Sequence, residues 1–442
     1  MFPTSSMYDD MDEELAKSTY LGVPATPRET VSSSASSSRL STVVFANCPK
    51  AHACGVQLGT TIAFLGLFAI AQAYLWDRSA PFFAATSLLL CSYEFLWLAH
   101  HSTRALTASL DPDQSPNGTD SCGQALADRF FGGRLILVSL LAGVMGGSTY
   151  YGCTWYGFNV LNSSKGVMYP RTIKALGTFT GGGSGLLSVY CPSWSAAVTL
   201  ICFGAFFVCV SIDAIAYQAS VLSHKFVMDN GELYAQGGSL IIALMLFSPA
   251  PPIVSLILIC HHLVGFMYIF GCCSAISGYI EHLHQTFAVN LLSGVLYATI
   301  GASFAQYLWH RCLEKSCGSS RCNLPLVRCL GADSPRLFEI LASCLGGILG
   351  MFFTTLHVDI VGSTSASVVY TGGAIFVANL GRLFLAVLKQ VAGDAPPRGI
   401  FGVHGGLLDG LQLFLPLILA FSPYYRVYLG NPDPAGNGTR PN

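Results

Sequence analysis

Apolar runs close to twenty residues long recur from about position 54 to position 422, and they constrain this chain more than any other feature. A bilayer core about 30 Å thick is crossed by roughly 20 apolar residues of helix. Residues 58–76, 201–212, 254–278 and 289–309 contain no Asp, Glu, Lys or Arg. The pattern predicts an all-α, polytopic bundle of about eleven transmembrane spans (nine to eleven) behind a disordered N-terminal tail. The spans are expected near 54–76, 80–100, 133–157, 171–191, 194–219, 231–249, 253–279, 285–309, 337–358, 361–388 and 405–422.

Composition agrees. Only 10% of the 442 residues are charged and 52% are hydrophobic, whereas soluble domains carry about 25% charge. The net charge of −1 and the lack of a basic patch exclude nucleic acid as a partner. The lipid bilayer is the expected partner. Lys and Arg gather on one side of an eleven-span arrangement, in the N-terminal tail and in loops holding Arg104, Arg129, Arg311, Lys315 and Lys389. The positive-inside rule then puts the N-terminus in the cytosol, in a secretory-pathway or plasma membrane.

Three segments frame the bundle of residues 51–422. Residues 1–50 hold an acidic cluster (Asp9, Asp10, Asp12, Glu13, Glu14) and a serine-rich stretch, and cannot bury enough apolar surface to order. Residues 310–336 form a basic, Cys-bearing loop, and 423–442 a short C-terminal tail. Tyr8 and Tyr20 open Tyr-x-x-apolar patterns, candidate sorting signals for vesicular adaptors. Asn162 and Asn437 head glycosylation sequons on the side expected outside.

Within the spans, ionisable residues are costly and need partners or a polar cavity. The set is Glu94, Asp213, Arg382 and Asp409, with His261, His262 and His357. Asp213, Arg382 and Asp409 make a candidate midplane polar site, in which Arg382 is expected to pair with Asp213 or Asp409. Gly143/Gly147, Gly177/Gly181/Gly185, Gly346/Gly350 and Gly406/Gly410 have small-xxx-small spacing, which lets backbones approach closely within the chain or between copies. The Pro249–Pro252 run must break the chain between the sixth and seventh spans. No internal repeat is visible in the residues.

No metal or cofactor is expected. The histidines lack the dense spacing of a di-iron site, and Cys312, Cys317, Cys322 and Cys329 lack the close CxxC pairs of a zinc site. The segment Gly402-Val-His-Gly-Gly-Leu-Leu-Asp-Gly resembles His-bearing segments of ammonium channels and rhomboid proteases, but the second histidine or serine is not at the required spacing. Without a nucleophile–base pair, the chain is expected not to be an enzyme.

The overall plan of polar tail, many spans and interrupting basic loop resembles the multi-pass envelope membrane proteins of alphaherpesviruses. The local likeness lies in Ala51-His-Ala-Cys-Gly, opening the first span, and Asp77-Arg-Ser-Ala-Pro-Phe-Phe-Ala-Ala-Thr, opening the second. The resemblance implies a non-enzymatic component of virions or infected-cell membranes. It also implies transporter-like architecture, since that family looks distantly similar to nucleoside transporters. The alternative is a secondary transporter for a small polar solute.

Overall fold

Each expected apolar segment is largely helical where its residues are described. The computed structural model of the chain describes residues 49–75, 79–108, 121–161, 170–218, 230–247, 251–278, 285–313, 337–358, 364–392 and 406–430. In order, the helices are α1 (Pro49–Leu75), α2 (Ser79–Thr107), α3 (Gln124–Phe130), α4 (Leu135–Leu161), α5 (Pro170–Ser188), α6 (Trp194–Gln218) and α7 (Asn230–Leu246). Next come α8 (Pro252–Gly265), a π turn (Phe266–Phe270) and α9 (Gly271–Gly278), then α10 (Gln285–Leu308) with a second π turn (Trp309–Leu313). The chain continues through α11 (Leu337–His357), α12 (Thr364–Ala392), α13 (Leu407–Leu411) and α14 (Phe414–Gly430). Among the described residues no strand occurs.

The breaks follow local chemistry. Pro252 stands at the first position of α8, where its missing N–H costs nothing and its fixed φ suits the helix. Gly132 and Gly133, at φ 57° and 80°, turn the chain from α3 into α4 through a region that side chains with a Cβ avoid. Eight helical stretches of the described residues, from Ser79–Thr107 to Leu407–Tyr424, are long and apolar enough to cross a membrane. Gly55–Ile70 and Tyr234–Leu246 are shorter apolar stretches. The 19-residue α5, with its run of three glycines, is not among the eight.

The helix α2 runs through the middle. Its residues Leu88, Cys91, Phe95 and Ala99 are fully buried, and it touches α5, α6, α8, α9, α12 and α13. Phe203, Phe207, Phe266 and Phe270 fill the core beside it, and the last two rings stack at 4.6 Å. By contrast, α4 turns Ile136, Leu140, Val144, Met145 and Trp155 outward, a surface suited to lipid.

Glycines set the closest helix contacts. A Cβ on Gly143 would lie 3.3 Å from the Gly182 carbonyl oxygen, and one on Gly147 3.3 Å from that of Thr178. Gly181 and Gly185 meet the α4 backbone more tightly still. The pair α10–α11 is built alike, with Gly301 against Gly346 and Gly350 against the Tyr297 carbonyl. These small faces join helices within the chain, which is their intramolecular use.

Packing order repeats where sequence does not. In α1, α2, α4, α5 and α6, the first helix lies on the second, while the second and third stay largely apart. The third and fourth are locked by glycines, and the fourth lies on the fifth. The same order recurs in α7, α8–α9, α10, α11 and α12. The second members of the two series, α2 and α8–α9, cross each other, and Gly265 admits the Phe95 ring at that crossing.

Candidate functional site

The final span is not one helix. Pro416 has no N–H to offer the Gln412 carbonyl, and α13 stops at Leu411 with two turn residues before α14. Carbonyls freed at such a break must find donors if no water reaches them. Three side chains from two other spans supply them. Gln57 Nε2 donates to the Asp409 carbonyl at 2.7 Å, Thr61 Oγ1 to that of Gly410 at 2.7 Å, and Tyr268 OH to that of Gln412 at 3.3 Å. Gln57 and Thr61 are one turn apart on α1. Tyr268 stands in the π turn between α8 and α9, a local widening that often marks functional positions.

The other end of α13 is capped from α2. The two oxygens of Glu94 accept the backbone N–H groups of Leu407 at 2.9 Å and Leu408 at 2.7 Å. Glu94 is 3% exposed. Its carboxylate replaces the missing helical acceptors and its charge suits the positive end of a helix. Gly406 is extended (φ −96°, ψ −174°), a conformation open to any residue, so its requirement is space: a Cβ there would run into the Glu94 carboxylate. Beside this cap Asp409 pairs with Lys389 of α12. Gly381 of α12 lets the same region close, since a Cβ there would sit 3.2 Å from the Tyr268 ring and 3.6 Å from Pro416.

A second polar group joins α10, α11 and α12. Gln306 Nε2 donates to Asn379 Oδ1 at 3.2 Å, and Asn379 Nδ2 donates to Ser343 Oγ at 3.3 Å. One turn along each helix, Arg382 Nη1 donates to Glu339 Oε1 at 2.6 Å, and His310 Nε2 lies 3.4 Å from the same oxygen. Gln306, Asn379, Ser343, His310 and Glu339 are all buried.

These contacts bear on one of the two pairings expected for Arg382. Arg382 pairs with Glu339, not Asp409, because Asp409 faces Lys389 two turns further along α12. Glu339 lies in the first turn of α11, so the Arg382 pair is level with one end of that helix, not with its middle. Asp213 is on α6, and its side chain lies outside the described residues. The structure therefore gives Arg382 and Asp409 different ion-pair partners. Glu94, read from sequence only as a costly ionisable residue, turns out to be the helix cap. The residues missed were Glu339 and Lys389, each near a helix end where charge looks solvated, and the neutral donors Gln57 and Tyr268. Tyr8, Tyr20, Asn162, Asn437 and His404 lie outside the described residues, as do Cys317, Cys322 and Cys329.

The other histidines have local roles. His261 Nδ1 is 2.9 Å from Thr103 Oγ1, His262 Nδ1 is 2.8 Å from its own helix's Leu258 carbonyl, and His357 packs edge-on against Phe353. Among the described residues no cluster of three His, Cys, Asp or Glu side chains could hold a metal ion. No protein-family model, curated protein or solved structure matches this chain.

Proposed function

We propose that this chain is a non-enzymatic, multi-pass integral membrane protein of transporter-like architecture, and that it acts as a secondary transporter for a small polar solute. The observation that carries this reading is the broken final span. The backbone carbonyls and N–H groups freed at its break are held by Gln57, Thr61, Glu94 and Tyr268 from three other helical segments. Transporters use such discontinuous helices because freed backbone groups can bind solute or coupling ion once their internal partners let go. The recurring packing order supports the same reading, since many transporters are built from two repeats of one helix arrangement. Glu94 and Lys389–Asp409 give the site charges of both signs, which fits a polar or zwitterionic solute better than an apolar one. A role in a viral envelope is a separate proposal that rests on the likeness at residues 51–55 and 77–86.

The test is uptake into proteoliposomes of radiolabelled amino acids, sugars and nucleosides, comparing the wild type with Glu94→Gln. Expected is saturable uptake of one class by the wild type and its loss in the variant at equal protein incorporation. Uptake no greater than into empty liposomes across the whole panel would remove the transporter reading.

A further inference from the structure

We propose that Glu339, held between Arg382 and His310, is a proton-binding site of this membrane protein, distinct from the capped break of the final span. Three observations converge on it. The π turn after α10, helix α11 and helix α12 each contribute one ionisable side chain, and all three meet at a single carboxylate oxygen, Arg382 at 2.6 Å and His310 at 3.4 Å. The carboxylate is buried, with 4% of its side chain exposed, as is His310 with 7%. One turn away, Gln306, Asn379 and Ser343 continue the polar contact along the same three helices.

A purely structural ion pair needs two partners. Here a third ionisable group, an imidazole, shares the oxygen, and carboxylate–imidazole chains within membranes are the usual carriers of protons. Facing the site among the described residues are His310 from the π turn after α10, Glu339 from α11 and Arg382 from α12. Arg311, the next residue along, turns away: its Nη1 donates to Tyr307 OH at 2.5 Å and its guanidinium packs on that ring. The Lys389–Asp409 pair is two turns further along α12.

The step balances without another reactant. Protonated His310 gives the proton on Nε2 to Glu339 Oε1 as Arg382 moves off. The N–H bond breaks and an O–H bond forms, leaving neutral imidazole beside neutral carboxylic acid while Arg382 keeps its charge. Loss of that proton restores the carboxylate and draws Arg382 back. Arg382 stabilises only the ionised form of Glu339, so the carboxylate takes up the proton only as the guanidinium leaves it. The position near one end of α11 gives the proton a short path to one membrane face.

The experiment is a pH jump, from about 7.5 to about 6, across proteoliposomes adsorbed on a solid-supported membrane, a window in which imidazole titrates. Displacement current is recorded with no solute present, so the outcome is independent of the uptake assay. The wild type is expected to give a transient that Glu339→Gln/Arg382→Gln reduces about tenfold, the double change keeping charge balanced so that the fold survives. His310→Gln should shift the pH midpoint of the transient, and Arg311→Gln should leave it unchanged. If the double variant fails to fold, the His310→Gln midpoint decides. No transient in the wild type, a wild-type transient in the folded double variant, or an unmoved midpoint in His310→Gln would overturn the proposal and leave the three residues as a structural clamp.

Discussion

Glu94 shows how much one side chain can do when it is buried among backbone donors. It satisfies two N–H groups that belong to a helix more than three hundred residues away in sequence. Truncating it removes both acceptors at once, and a buried donor left without a partner costs about 1–3 kcal/mol. Glu94→Ala is therefore expected to lose about 2–4 kcal/mol of stability in detergent, measured by denaturant titration. Gly406→Ala should lose a comparable amount, because its methyl group enters the space of the same carboxylate. A Glu94→Ala protein as stable as the wild type would mean that the cap does not hold α13. The sequence makes Glu94 conspicuous, since a carboxylate deep in an apolar run has to meet something. It does not say what, because the partners are backbone groups with no residue signature.

The broken span at α13–α14 argues the same point for an element. Pro416 is legible as a helix breaker, yet the apolar run 405–422 still reads as one span, because a turn of two residues leaves no mark on hydropathy. What compensates the break comes from α1 and from the π turn before α9, and neither can be found by periodicity. Tyr268 and Pro416 should be energetically coupled. Tyr268→Phe leaves the Gln412 carbonyl without its donor and is expected to cost about 1–2 kcal/mol. Pro416→Ala supplies a backbone N–H in range of the same carbonyl, so in that background Tyr268→Phe should cost about 1 kcal/mol less. Additive single effects in this cycle would show that the hydroxyl does not compensate for the proline. The Arg382–Glu339 pair escapes the sequence for a related reason. Arg382 is in the body of α12, a helix of 29 residues that is about 43 Å long, well beyond a bilayer core. A central position in such a sequence run does not require a central depth, and a partner in the first turn of α11 is within reach.

At the scale of the molecule, glycine faces and polar pins divide the bundle into parts that should move together and parts that should separate. Helices α4 and α5 approach along Gly143, Gly147, Gly181 and Gly185, and α10 and α11 along Gly301, Gly346 and Gly350. Contacts made by backbone against backbone leave no room for sliding, so each pair should behave as a rigid arm. The final span differs, since side-chain hydrogen bonds hold it to α1, α2 and the π turn, and such bonds can exchange for solute or water. Two engineered disulfides separate these behaviours. In Gly143→Cys/Leu186→Cys the Cβ positions are 3.5 Å apart, and in Thr60→Cys/Gly410→Cys they are 3.6 Å apart, both within the range of an unstrained bridge. Oxidation of the first pair is expected to leave solute uptake at its reduced level, because it joins helices that already move as one. Oxidation of the second ties the broken span to α1 and should abolish uptake, with recovery on reduction by dithiothreitol. If both bridges stop uptake, the α4–α5 pair is not a rigid arm. If neither does, the final span does not move in transport, and its break is a feature of packing alone.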